Sequence, residues 1–142
     1  MIHNISYRTF VYGTEDEEKV MTAIGYLFSN SLPEKSISED HFGNKIVVLT
    51  DKITKKRTNR DIIAFLNDNL SKEDKTTIKE ELNRRMDEKG NLFLRFDKQL
   101  AYEQILKLTR SGNAIHVRIK IASYPVSKEN ATEVAKKLFD FL

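Results

Sequence analysis

The stretch AIHVRIKIASY, residues 114–124, alternates apolar and polar side chains with a period of two, the pattern of a β-strand with one buried face. Ile115, Val117, Ile119 and Ile121 share that face, and their β-branched side chains suit a pleated, packed surface. His116, Arg118 and Lys120 share the other. The strand therefore predicts a sheet with one apolar side and one cationic side.

Moving toward the C-terminus, Pro125 stops the strand, Ser127 can cap a last helix, and Val134, Leu138 and Phe141 supply its buried stripe. Moving back, Ser111-Gly112-Asn113 is a turn, and a short helix is expected through Leu100 to Leu106. Residues 91–98 (NLFLRFDK) alternate again, sending Leu92, Leu94 and Phe96 inward and Phe93 and Arg95 outward. Gly90 ends a helical pair. Its second member is capped by Ser71 and carries Ile78, Leu82 and Met86; its first is capped by Thr58 or Asn59 and carries Ile62, Ile63, Leu66 and Leu70.

The N-terminal third repeats the strand logic. Residues 4–12 (NISYRTFVY) put Ile5, Tyr7, Thr9 and Val11 on one side and Arg8, Phe10 and Tyr12 on the other. Gly13 breaks this strand, and Thr14 with Glu17 has the spacing of a capping box ahead of a helix carrying Val20, Ile24, Leu27 and Phe28. The acidic run Glu15 to Glu18 complements the positive end of that helix. Beyond Pro33, residues 36–42 and 45–53 are strand candidates joined at Gly43-Asn44, a dipeptide suited to a tight hairpin. The order β-α-β-β-α-α-β-(α)-β-α predicts an α+β fold, one mostly antiparallel sheet of about five strands with helices packed on one face, as a single domain over residues 1–142.

Composition narrows the function classes. With no cysteine among 142 residues, a disulfide framework, a thiolate nucleophile, an iron–sulfur cluster and the usual structural zinc sites are excluded. The start MIHNISYRTFVYGTEDEE lacks a basic segment followed by an apolar run, and no segment reaches the length of about 20 apolar residues needed to span a bilayer. A cytoplasmic protein without membrane contact is expected. Phosphate-loop, dinucleotide-turn and nucleophile-elbow signatures are missing, so neither a catalytic site nor a cofactor is expected. His3, His41 and His116 fall on separate elements without metal-ligand spacing, and no metal site is expected.

Charge placement says more than the total of +3. Residues 1–50 are net −3 and residues 51–142 net +6. In DKITKKRTNRD, residues 51–61, Lys52, Lys55, Lys56, Arg57 and Arg60 follow one another with no acid between them; they repel unless an anion is near, and phosphates are such anions. The outward face of Arg95, Arg118 and Lys120, with Phe10, Tyr12 and Phe93 as candidate base-stacking or interface aromatics, is the combination that holds unpaired nucleic acid. Two other readings stand beside RNA binding. In one, the aromatics form a dimer or partner interface; in the other, Glu39, Asp40 and His41 hold a metal for a nuclease.

The TEDEEKV turn at residues 14–20, LFLRFDKQLAY at residues 92–102 and IHVRIKIASYP at residues 115–125 resemble an archaeal family of small RNA-binding, exosome-associated proteins. The resemblance runs over nearly the whole chain and implies a fold similar to the large-subunit ribosomal protein that binds 5S RNA. It implies an accessory role around RNA processing or exosome-linked degradation, with RNA and exosome subunits as partners and no defined reaction. Arg95, Asp97, Lys98, Arg118 and Lys120 are the matching functional candidates, with Asp97 and Lys98 equally readable as an ion pair at the strand end.

Overall fold

The alternation at residues 114–124 produces strand β5 (Ala114–Ile121) in a computed structural model that describes residues 1–142. The other elements are β1 (Ile2–Val11), α1 (Glu17–Leu27), β2 (Glu34–Glu39), β3 (Lys45–Ile53), α2 (Lys56–Asn69), α3 (Lys72–Glu80), α4 (Leu82–Arg85), β4 (Asn91–Asp97), α5 (Lys98–Tyr102) and α6 (Lys128–Leu138). The fold is α+β, with one open antiparallel sheet in the order β2-β3-β1-β5-β4. Ile115, Val117, Ile119 and Ile121 are buried, as are Ile5, Tyr7, Thr9 and Val11 of β1 and Leu92, Leu94 and Phe96 of β4. On all three strands the alternate residues are partly or fully exposed, apart from Asn91 and Ala114 at the strand starts.

The chain packs into two compact units. The first comprises Met1–Ser6, Lys52–Leu94 and Val117–Leu142. Its helices close on small residues: Ala131 and Ala135 of α6 are fully buried, and Gly90, at φ +83°, lies where a Cβ would stand 3.2 Å from the Ile121 carbonyl oxygen and 3.4 Å from the Ala131 Cβ. Glycine alone fits both the positive φ and that approach. The Ile121 amide donates to the Gly90 carbonyl at 2.8 Å, tying the helical segment's end to β5.

The second unit comprises Tyr7–Asp51 and Arg95–His116. Here α1 packs on α5, and Tyr7 stacks on Phe28 with ring centroids 4.5 Å apart. The Tyr7 hydroxyl, Ser31 and Asp51 form a chain of two 2.6 Å hydrogen bonds. Burial pushes the Tyr7 phenol up to about 12, against the opposing effect of its bond to Ser31.

Several local expectations are corrected. The cap of α1 is Asp16, whose side chain accepts from the Glu18 amide, so the Thr14–Glu17 capping box does not form. The first hairpin strand is Glu34–Glu39, and register Glu39 opposite Lys45 leaves residues 40–44 as the loop rather than a two-residue turn at Gly43-Asn44. Asp40 organises that loop, accepting from the amides of Phe42 and Asn44 and from the Asn44 side chain. Helix α2 begins at Lys56, before both expected caps, because Asn59 sits one turn ahead of Ile62 and Ile63 on the buried stripe and must itself be helical. The third helix divides at Glu81, whose carboxylate pairs with Arg84 at 2.7 Å and Arg85 at 3.4 Å. In α6 the fully buried stripe is alanine, while Val134, Leu138 and, beyond the helix end, Phe141 are only half-buried.

Candidate nucleic-acid interface

In the second unit the solvent side of β1 and the start of β5 converge on one aromatic ring. The Arg8 guanidinium lies 5.6 Å from the Phe10 centroid, the Tyr12 ring 6.1 Å away and the His116 ring 6.4 Å away, edge-on. Arg8 is exposed, Phe10, Tyr12 and His116 are half-buried, and the His116 Nε2 bonds to the Gly112 carbonyl at 2.9 Å. Alternation fixes this outward set, and the Arg8 cation holds the ring by its quadrupole. Arg95, on the outward side of β4, is exposed and donates to the Arg110 carbonyl at a long 3.4 Å.

Lys98 is placed otherwise than its charge suggests. It is 6% exposed, and its ammonium donates to the Phe10 carbonyl at 2.7 Å and to Glu15 Oε1 at 2.9 Å, with the Tyr12 ring centroid 5.3 Å away. Its acidic partner is Glu15, not Asp97. Asp97 caps α5, accepting from the Leu100 amide at 2.8 Å. A lysine so enclosed, with two of its three donors used and its charge answered by Glu15, sits as a strut joining β1, the 12–15 turn and α5 rather than as an open contact residue. The same turn borders a cleft of 510 Å³ whose polar lining includes Asp16, Lys19, Asp97 and Tyr102.

In the first unit the outward residues are more open. Arg118 is exposed and has no protein partner; Lys120 donates to the Lys89 carbonyl at 3.2 Å. Burial pushes the neighbouring Asp87 carboxyl up, but hydrogen bonds from Asn91 and Lys89 and the Lys120 charge outweigh it and leave the group below its ordinary value. Phe93 is 45% exposed, and its carbonyl accepts from Arg85 at 3.4 Å.

The basic segment is not a loop. Lys52 lies in β3, Lys55 occupies the N-cap position of α2, and Lys56, Arg57 and Arg60 are in its first turns, all five exposed. Lys55 makes no side-chain cap bond, and no acid lies in the first turn. Cations here oppose the helix dipole, whose positive end favours anions. The arrangement is unfavourable for the isolated protein and favourable for one holding an anion.

The three residues weighed as a metal site do not gather ligands: no group of three or more His, Asp or Glu side chains is disposed to hold an ion. The Asp40 carboxylate is occupied by its loop, and the hydrogen bonds from the Asn44 amide and side chain, against the rise from burial and with help from the Phe42 amide, hold its pKa below the ordinary carboxylate value. No helix is long and apolar enough to cross a membrane.

In the sequence Asn59 is one of two candidate caps for the helix that follows. A polar residue in register with Ile62, Ile63 and Leu66 was the available signal that it is buried. Arg85 was missed, since nothing in the spacing brings it to the edge of β4.

A model of a protein family described as RNA binding matches residues 4–121. A Pyrococcus abyssi protein described as an RNA-binding protein is 37% identical over 141 residues, 95% of this chain and 92% of that one. Among solved structures, a DUF54 protein from Methanothermobacter thermautotrophicus is 41% identical with a TM-score of 0.86, covering 98% of each chain. An Archaeoglobus fulgidus protein of the same family is 32% identical with a TM-score of 0.87, covering 97% of this chain and 99% of that one.

Proposed function

The chain belongs to the RNA-binding family, and from that premise we propose that it is a non-catalytic RNA-binding protein that grips the sugar-phosphate backbone with exposed cations. One observation carries the reading: Lys55, Lys56 and Arg57 crowd the positive end of α2 with no acid in its first turn, an arrangement that an anionic ligand relieves. Phosphates neutralised there release counterions, which makes binding salt-dependent and largely indifferent to sequence. Each unit adds outward groups of its own. In the second unit Arg8, Phe10 and His116 form a cation-edged ring on which an unpaired base can stack; in the first, Arg118 is open to a phosphate and Phe93 to a base.

The finer role we propose is that of an accessory factor in RNA processing or exosome-linked degradation in the cytoplasm, supported by the resemblance of residues 92–102 and 115–125. RNA crosslinked to the protein in cells and sequenced should be enriched in processing or decay intermediates; a sample matching bulk RNA abundance contradicts that role. For RNA binding itself, replacing Arg118 with Glu should weaken affinity for single-stranded RNA several-fold. Unchanged affinity would remove Arg118 from the interface.

The half-exposed Phe93 also favours a second reading, a dimer or partner interface. Light scattering that gives a dimer lost on Phe93→Ala, together with no measurable RNA affinity, would put that reading first.

A further inference from the structure

A cavity of 470 Å³, within the range of about 300–1,000 Å³ usual for small-ligand sites, lies in the first unit beside the start of α2. Its walls are of two kinds. Ile2, Ile63 and Leu138 make an apolar side, while Lys56, Arg60 and Lys137 contribute three cations. The first three amides of α2 precede its first internal bond, from the Asn59 amide to the Lys55 carbonyl at 3.0 Å, and no side chain caps them.

Asn59 also lines this cavity. It is 2% exposed, and neither its Oδ1 nor its Nδ2 has a hydrogen-bond partner. A buried amide in this state has lost its water and gained nothing in return. Asn67, two turns along the same helix and lining the same cavity, shows the contrast: its Nδ2 donates to the Leu138 carbonyl and its Oδ1 accepts from the Asp140 amide, both at 3.2 Å. One asparagine is spent on the fold, and the other is idle beside an open space.

A ligand suited to every wall carries a phosphate, a flat body of low polarity, and an edge with a donor beside an acceptor. A nucleotide has all three, and the N6/N7 edge of adenine matches a carboxamide in a bidentate pair. We propose that the cavity takes one unstacked nucleotide of a bound RNA strand, adenine preferred. Its phosphate lies against Lys56, Arg60 and the start of α2, and its base edge meets the Asn59 amide, which turns into the cavity on binding. This rests on the RNA-binding reading, and the free nucleotide is the other source of the same chemistry.

Backbone-amide NMR of the full chain, titrated with AMP, UMP, oligoadenylate and oligouridylate, tests it. Oligoadenylate and AMP should shift the Asn59 and Ile63 resonances, and Asn59→Leu, close in size and lacking the amide, should stay folded and lose about tenfold of the preference for adenine. The wild-type titration decides the matter even where that variant does not fold. Cavity shifts with AMP but none with oligoadenylate would overturn the strand as source. Oligoadenylate that shifts Arg118 and leaves Asn59 and Ile63 unmoved would overturn the cavity proposal while RNA binding stands. No shift with any ligand would overturn both.

Discussion

Lys98 and the Lys55–Arg57 run are both cationic features of one basic chain, and the structure treats them in opposite ways. Lys98 is enclosed, bonded to the Phe10 carbonyl and to Glu15. The three cations at the start of α2 are exposed, clustered and placed where the helix dipole opposes them. A positive side chain that is satisfied within the fold is part of its stability. One that is held against its preference is available to a partner.

The largest expected effect that would sharpen this contrast is on stability. Lys98→Met takes the ammonium from the Phe10 carbonyl and leaves the partly buried Glu15 carboxylate with the Tyr12 amide but no counter-charge, and should cost about 2–3 kcal/mol, discounted because Glu15 retains some water. Urea unfolding measures it, and a loss under about 0.5 kcal/mol would show that Lys98 behaves as a surface charge. Next in size, replacing Lys55, Lys56 and Arg57 together with Glu should lower affinity for single-stranded RNA on the order of tenfold or more at low salt. The same variant should keep or gain stability, by about 0.3–1 kcal/mol, because acids now face the positive helix end. Destabilisation in thermal melts would mean that these cations serve the fold after all.

A smaller effect concerns the buried hydroxyl chain of the second unit. The Tyr7 phenol titrates at about 12 when folded against 10.0 as its ordinary value, so its contribution to stability is complete below pH 10 and is lost as pH rises through 12. Phenolate absorbance should show a late step from Tyr7, beyond that of Tyr26, which burial also raises, and Tyr7→Phe should remove that last step. A single uniform tyrosine titration would contradict the burial.

Most of the fold was legible because the strands alternate cleanly. The buried faces of β1, β4 and β5 follow from period two alone, and Ser71 and Ser127 cap their helices as their positions indicate. Boundaries were less legible where local chemistry offers rivals. Asp16 competes with Thr14 for the cap, and Asp40 closes a wider loop than Gly43-Asn44 suggests. In the site, the outward set Phe93, Arg95, Arg118 and Lys120 was readable from alternation. The burial of Lys98 was not, because its partner Glu15 lies 83 positions away in sequence and charge counting carries no information on such a pairing.

The slope of log affinity against log salt for single-stranded RNA, compared between the wild-type protein and the Lys55→Glu, Lys56→Glu, Arg57→Glu variant, tests the central claim most directly. If the three cations each hold a phosphate, the slope should become shallower by about 2 and low-salt affinity should fall with it. Identical slopes and affinities for the two proteins would place the RNA elsewhere and contradict the account.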